Sequence, residues 1–185
     1  RTLELADYKT QYINRLKGAQ IHAPSGEILD CRGSKTYAVA IERDEFDRHL
    51  AEKAVEQGAT LLLEAKARGF AKNKSGLTVD FEYRRKDYTV QAKLLIGADG
   101  VNSIVSSWAG LEPPKEKIKM FAAEVELENQ FPETVDLFLG SDVAPGWFGW
   151  IIPLDKKRAR IGTGSCFSGK SILEHVKMLF EKHPE

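Results

Sequence analysis

The chain has 185 residues, 42% hydrophobic and 29% charged, a composition typical of a folded globular protein rather than a disordered one. Its 27 basic and 27 acidic side chains cancel, so no overall field favours nucleic acid or an anionic membrane. Cys31 and Cys166 have no CxxC spacing and the four histidines are scattered, so we predict no metal site and a reducing, cytoplasmic location. No apolar run reaches the roughly 18 residues that a membrane-spanning helix requires.

The first part of the chain predicts alternating strands and helices. Residues 1–18 fit no single period, and their structure stays open. A helix begins at Asp44, a plausible N-cap, and Gly58 provides its stop. The flanking segments predict a hairpin over 20–30, a strand over 37–41 and another strand over 60–63.

Two alternating runs, 77–83 and 88–90, are separated by polar turns and predict a β-meander. The basic turn at 84–86, with sequence Arg-Arg-Lys, is either a solvated hairpin tip or a contact for phosphate. The order of elements up to this point is that of an α/β layout with a mostly parallel sheet and a small antiparallel one.

A strand–turn–helix unit is predicted over 94–105. The apolar residues 94–96 indicate a buried strand, and Gly97, Asp99, Gly100 and Ser103 mark a tight turn into a helix. Glycines permit close approach of a ligand, and a helix start offers free N–H groups. The unit is therefore either an ordinary turn or part of a ligand site.

Beyond the prolines at 113–114 the pattern changes to alternating runs. Four of them, within 119–128, 135–139, 147–154 and 158–163, predict an antiparallel sheet, and a final helix is predicted over 170–182. We place the boundary between two structural units near residues 112–116.

Three motifs together resemble flavoproteins of the p-hydroxybenzoate hydroxylase fold, and among them the geranylgeranyl reductase family. They are R-x-x-F-D-x-x-L at 43–50, Gly-Ala-Asp-Gly at 97–100 followed by Ser103, and 148–153 with the Gly-Thr-Gly of 162–164. The last is similar to the family pattern Y-x-W-x-F-P-x(7–8)-G-x-G. Ser106 stands where the family has Arg, and neither the GxGxxG nor the C-terminal flavin motif is present.

The resemblance implies an internal fragment of mixed α/β (α+β) class, inactive in isolation. Its parts are an N-terminal segment, 1–37, whose hairpin crosses to the substrate sheet; a partial parallel-sheet FAD-binding domain with the β-meander, 38–112; and a substrate-binding antiparallel sheet with a helix, 113–185. The implied cofactor is FAD, with Arg43, Ala67, Asp99 and Gly100 beside it. Substrate would contact Trp147, Phe148, Trp150, Pro153, Gly162 and Gly164.

Elementary electrostatics refines two of these roles. The Asp99 carboxylate would be repelled by phosphate, so we expect it to orient backbone amides, a water or a ribose hydroxyl. Arg43 either reaches a phosphate or ring oxygen of the flavin, or forms a salt bridge with Glu42, Asp44 or Asp47.

Strand alternation predicts that Trp147 shares one face with Gly149 and Ile151, whereas Phe148 and Trp150 share the other. The two aromatic rings form either an apolar wall for a polyprenyl chain or ordinary sheet core. Nearby glycines, at 146, 149, 162 and 164, favour close approach of a ligand or another backbone.

The predicted function is FAD-dependent reduction of isoprenoid C=C bonds. Electrons would come from a reduced nicotinamide or a ferredoxin-type donor, and no side chain is a convincing proton donor, so no catalytic residue is named. A flavin monooxygenase or hydroxylase of the same fold is the alternative, and a non-catalytic lipid- or protein-binding module is the alternative of another class. Peripheral membrane contact and oligomeric state stay open.

Overall fold

A computed structural model describes residues 12–166, 169 and 171–182; residues 1–11 of the predicted N-terminal segment lie outside it. The chain forms two compact units. The smaller is Ala54–Lys117, and the larger combines Arg1–Lys53 with Ile118–Glu185. The boundaries therefore fall at 53/54 and 117/118, whereas the sequence predicted 37/38 and 112/113.

The larger unit contains a six-stranded sheet of order β3-β2-β9-β10-β11-β8. Only the β2–β9 pair among the described strands is parallel, and the hairpin β2–β3 joins the later strands through it. The strands are β2 (Gly18–His22), β3 (Ile28–Asp30), β8 (Lys119–Glu126), β9 (Thr134–Phe138), β10 (Gly149–Pro153) and β11 (Arg158–Ser165). The predicted hairpin and all four predicted antiparallel strands are present.

A two-stranded ribbon lies in the same unit. Strand β1 (Tyr12–Leu16) pairs antiparallel with β4 (Ala38–Ile41). The Asn14 side chain fastens the ribbon to the sheet, since its Nδ2 donates to the Pro153 carbonyl at 2.9 Å.

Helix α1 (Arg43–Glu56) follows β4 and begins one residue before the predicted N-cap. Gly58, at φ +94°, ends it as predicted. The Gly58 and Ala59 amides donate to the Val55 and Ala54 carbonyls, which satisfies the last turn.

A helix covers one face of the six-stranded sheet. Helix α3 (Ile172–Lys182) contributes Leu179 to a core with Phe138, Val143 and Ala144. Gly149 faces this helix, since a Cβ on it would lie 3.4 Å from Leu179 Cδ1. The predicted final helix is confirmed, and Lys170 of its predicted range lies outside the described residues. No helix in the described part of the chain is long and apolar enough to cross a membrane.

The smaller unit is built on the predicted β-meander. Its strands are β5 (Lys66–Asn73), β6 (Gly76–Tyr83) and β7 (Lys86–Ala92), in that spatial order. A short helix, α2 (Ile104–Trp108), follows the Asp-Gly turn. The meander is thus read correctly from its alternation and polar turns.

Two predicted strands are wrong. Residues 60–63 and 94–96 have no strand pairing, and Leu63, Leu94 and Ile96 are 70%, 72% and 75% exposed. An apolar run shows that a segment favours burial, but a strand also requires a neighbour for its backbone hydrogen bonds. The mixed α/β class is confirmed, whereas the described residues contain no parallel sheet within 38–112.

Candidate functional site

Three aromatic side chains form one layer beside β10. The Trp147 and Phe148 rings stack with centroids 5.1 Å apart, and the Phe148 and Trp150 rings meet edge to face at 6.0 Å. Trp150 is 9% exposed, whereas Trp147 is 36% exposed. The layer therefore has a buried end and a partly solvent-facing end.

Two glycines of β11 leave the space that the tryptophan rings occupy. A Cβ on Gly162 would lie 2.4 Å from Trp150 Cζ2 and 2.4 Å from the Phe121 carbonyl oxygen. A Cβ on Gly164 would lie 2.4 Å from Trp147 Cδ1. Such distances are impossible for real side chains, so the close approach that the glycines permit is made by the chain's own rings and by a neighbouring backbone.

The predicted face of Trp147 is wrong. This residue precedes β10, and Gly146 at φ +74° turns the chain there, so strict strand alternation does not apply to Trp147. Pro153 does follow the alternation, on the face opposite Trp150, and is less than 2% exposed. The structure therefore groups Trp147 with Phe148 and Trp150, and separates Pro153 from them.

Arg160 connects this sheet to the start of α1. Its Nη1 donates to the Ile41 carbonyl at 2.6 Å and its Nη2 to Glu42 Oε2 at 2.9 Å. Its Nε donates to Glu124 Oε1 at 2.8 Å. Because residues 160, 162 and 164 share a strand face, Arg160 holds the residues just before Arg43 against the face that carries the aromatic layer.

Sequence reasoning missed Arg160, although a signal was present. An arginine two residues before Gly162, flanked in the strand by the apolar Ala159 and Ile161, requires charged partners on its face if it is not fully solvated. The side chain is 25% exposed and has two carboxylate partners, Glu42 and Glu124.

Arg43 forms the salt bridge that the sequence offered as its alternative role. Its Nη2 lies 3.0 Å from Asp47 Oδ2, and the side chain is 72% exposed. An exposed i,i+4 pair of this kind contributes less than about 1 kcal/mol. The guanidinium is therefore readily redirected towards a stronger anionic partner.

Asp99 in the smaller unit caps the turn before α2. Its Oδ2 accepts from the Ile104 and Val105 amides at 2.7 and 3.2 Å, and its Oδ1 accepts from the Ser103 hydroxyl. The Ser103 hydroxyl, and then the Val105 amide, hold the pKa of the Asp99 carboxyl below its usual range. As expected from electrostatics, the carboxylate orients backbone amides.

The two glycines of this turn, Gly97 and Gly100, have different structural roles. A Cβ on Gly97 would lie 2.9 Å from the Val105 side chain, so Gly97 permits tight packing on α2. Gly100, at φ +82°, faces open space. Gly100 also lines an open cavity of about 580 Å³. The other lining residues are Val101, Asn102, Ser103, Ser106, Ser107, Leu111, Glu112, Pro113, Pro114 and Lys117.

The serine and lysine side chains of this lining are of the kind that donate to phosphate and ribose oxygens, whereas Glu112 adds a carboxylate that would repel phosphate. Ser106 adds its hydroxyl where the family pattern has Arg. The Lys117 ammonium donates to Asn102 Oδ1 at 2.7 Å. Among the described residues, no group of three or more His, Cys, Asp or Glu is placed to hold a metal ion.

Ala67 lies on β5, an edge strand of the meander, beside an irregularity between Ala67 and Gly69. An edge strand leaves backbone groups without ladder partners. Ala67, which the resemblance places beside FAD, thus lies on a strand with one open edge.

A mixed α/β chain that joins a meander and a capped Asp-Gly turn to an antiparallel sheet with an aromatic layer has the architecture of flavin-dependent oxidoreductases. The chain belongs to the FAD binding domain family, whose model matches residues 6–172. FAD is the cofactor of this family.

The resemblance to geranylgeranyl reductases is confirmed. A digeranylgeranylglycerophospholipid reductase of Methanococcus vannielii is 30% identical over 164 residues, covering 87% of this chain and 42% of the relative. A geranylgeranyl bacteriochlorophyll reductase-like protein of Thermoplasma acidophilum has a TM-score of 0.83 at 28% identity, covering 99% of this chain and 50% of that one.

A flavin-dependent brominase shares the fold alone, with a TM-score of 0.70 at 15% identity, covering 97% of this chain and 49% of that chain. The chain spans about half the length of each of these proteins or less.

Proposed function

We propose that the full-length protein is an FAD-dependent reductase that saturates C=C bonds of isoprenoid lipids. The observation that carries the proposal is the aromatic layer of residues 147, 148 and 150, open at Trp147, on the sheet face where Arg160 holds the start of α1. The names of two relatives support an isoprenoid substrate: one is a digeranylgeranylglycerophospholipid reductase, and the other is a geranylgeranyl bacteriochlorophyll reductase-like protein.

The cofactor residues proposed are Arg43, Ala67, Asp99 and Gly100. Asp99 fixes the turn and leaves Gly100 facing open space, Arg43 offers a two-pronged donor for a phosphate or ring oxygen, and Ala67 offers backbone groups. Reduced FAD, when bound, would supply a hydride to one carbon of the C=C bond, and a proton would reach the other carbon. We propose that a reduced nicotinamide or a ferredoxin-type protein provides the electrons.

The substrate residues proposed are those of the aromatic layer, with Gly162 and Gly164 acting by seating its rings. A polyprenyl chain offers almost nothing to hydrogen-bond, so its binding depends on buried apolar area, at about 25 cal/mol per Å². Trp147 and Phe148 provide rigid apolar surface of this kind. Pro153, which is buried on the opposite face of β10, lies apart from this wall.

The test is saturation of a prenyl lipid by the full-length protein loaded with FAD. Under anaerobic conditions, with a geranylgeranylated phospholipid in detergent and dithionite as reductant, mass spectrometry should show one pair of hydrogens added per double bond. In a parallel aerobic assay, with a reduced nicotinamide in place of dithionite, substrate-dependent oxygen uptake with the double bonds intact would instead indicate a monooxygenase of the same fold. The absence of both reactions, in protein with a normal flavin spectrum, would favour a non-catalytic binding module.

A matched pair of variants tests the site. Trp147→Ala should raise KM about tenfold, since the area of a large aromatic side chain is lost, and should leave the flavin spectrum unchanged. Phe180→Ala, at a 44% exposed position of α3, should leave KM unchanged. Equal KM values for wild type and Trp147→Ala would contradict the proposed site.

A further inference from the structure

The turn between β6 and β7 has a conformation that its residues disfavour. Tyr83 pairs with Lys86, so Arg84 and Arg85 form a two-residue hairpin loop. Their φ angles are +51° and +61°, as in a type I′ turn. Such turns favour Asn-Gly, because a side chain with a Cβ crowds the backbone in the left-handed region.

The other hairpin of the same meander provides the contrast. Asn73 pairs with Gly76, and the Asn73 side chain accepts from the Ser75 amide at 2.9 Å. Gly76, at φ +140°, takes the position that disfavours a side chain. This turn has residues suited to its geometry, whereas the turn at Arg84 and Arg85 retains two arginines at a cost in stability.

The three cationic side chains of residues 84–86 are exposed. No ion pair involving Arg84, Arg85 or Lys86 occurs in the part of the chain that the structure describes. Strand alternation directs Glu82 and Asp87 to the opposite face of the hairpin. Within the described residues, the tip therefore has no carboxylate that neutralises its charge.

Aromatic rings stand beside these cations. The Arg84 guanidinium lies 5.0 Å from the centre of the Tyr83 ring, and the Tyr83 and Tyr88 rings are 6.2 Å apart. Tyr88 is 44% exposed. Tyrosine, with an apolar body and a polar end, suits the boundary between lipid and water.

We infer that the hairpin tip formed by residues 84–86 binds the phosphate groups of an anionic phospholipid surface. A protruding two-residue turn has no walls to enclose a small anion, but it can present three cations to a flat array of phosphates. Guanidinium groups donate two parallel hydrogen bonds to phosphate. The inference rests on the proposed function, because a reductase of lipid-borne isoprenoid chains must reach substrate in a membrane.

The test is sedimentation of the full-length, FAD-loaded protein with vesicles. Arg84→Asn combined with Arg85→Gly supplies the preferred turn and removes two cations. Each cation near an anionic surface contributes about fivefold in affinity, so binding to phosphatidylglycerol vesicles should weaken about 25-fold. The midpoint of thermal unfolding should rise by about 3 °C, because the strain is relieved. Lys72→Gln with Lys74→Gln, at the turn of the hairpin β5–β6 and so at the opposite end of β6, removes equal charge and should change vesicle binding far less.

Vesicles of phosphatidylcholine alone should bind neither protein, and rising salt should release the wild type from anionic vesicles. Undiminished binding by the Arg84/Arg85 variant would overturn the inference, as would an equal loss in the Lys72/Lys74 variant. Inorganic phosphate that displaces the protein at concentrations too low to screen charge would also overturn it, in favour of a soluble phosphate ligand.

Reductase activity in detergent separates the two proposals. The Arg84/Arg85 variant should retain wild-type activity there, since no bilayer is needed. Inactive wild-type protein would contradict the proposed function. The vesicle-binding measurements would still show whether the hairpin tip binds an anionic lipid surface.

Discussion

Trp150 on β10 lies directly across the strand pair from Gly162 on β11, and its ring occupies the space that a Cβ of residue 162 would need. The Phe121 carbonyl of the next strand closes the same space. An aromatic ring and a backbone carbonyl therefore both pack against Gly162.

Replacing Gly162 by Ala should therefore destabilise the larger unit. A methyl group meets both a ring and a backbone oxygen at 2.4 Å, and the backbone moves only with the strand. We expect a loss of about 1 to 3 kcal/mol in the free energy of unfolding, measured by urea titration, with altered near-UV circular dichroism as the ring shifts. Gly69→Ala is the control, since a Cβ there has no neighbour within 4 Å. Equal stability of the two variants would show that β11 adjusts freely.

Removing the Arg160 side chain should weaken FAD binding as well as stability. Arg160→Met leaves the Ile41 carbonyl and the Glu42 carboxylate without their donor, at a cost of about 1 to 3 kcal/mol. Because these residues precede Arg43, the dissociation constant of FAD should rise severalfold, as measured by flavin fluorescence. Arg160→Lys should recover only part of the loss, since a single ammonium group cannot reproduce the planar set of donors on the guanidinium group. An unchanged FAD affinity in Arg160→Met would show that the Arg160 contacts do not contribute to cofactor binding.

The Asp99 cap should show a defined pH dependence. The pKa of Asp99 is lowered in the folded protein, so its contribution to stability is present above about pH 4 and is lost as the pH falls through the folded pKa. Asp99→Asn should therefore unfold at a lower temperature than wild type at pH 7, and the gap should close in acid. A gap that persists at pH 2 would assign the effect to packing rather than charge. Ser103→Ala, which removes the other cap, should cost about 1 kcal/mol.

The α3 contact should dominate the stability of the sheet face opposite the aromatic layer. Leu179 is 2% exposed within the core, so Leu179→Ala should cost about 2 to 5 kcal/mol in urea unfolding. Phe180→Ala, on the solvent side of the same helix, should cost clearly less. Similar losses at both positions would mean that α3 is not held by its buried face.

Segments with a strong local pattern were predictable. Helix α1 was recognisable by its apolar spacing and its Gly58 stop, and the meander by alternation between polar turns. The runs 60–63 and 94–96 were misread because exposure or burial of an apolar strand depends on neighbours that no local pattern specifies.

Contacts between residues far apart in sequence could not be predicted either. Trp147 was placed on the wrong face because the two-residue period ends where Gly146 turns the chain. The three contacts of Arg160 join β11, β8 and the junction of β4 with α1, which lie far apart in sequence. The amide contacts of Asp99 were one of three roles expected of it, beside orienting a water or a ribose hydroxyl, because phosphate repels a carboxylate.

The sequence by itself determined the class of the chain, its meander, its antiparallel sheet and its resemblance to flavin-dependent reductases, since these depend on local periodicity and on motifs of fixed spacing. Only the tertiary structure decided that Gly162 and Gly164 seat the rings of Trp150 and Trp147, and that Arg160 holds the start of α1. Such contacts depend on which strands become neighbours and in which register, and a shift of one residue would reverse every face.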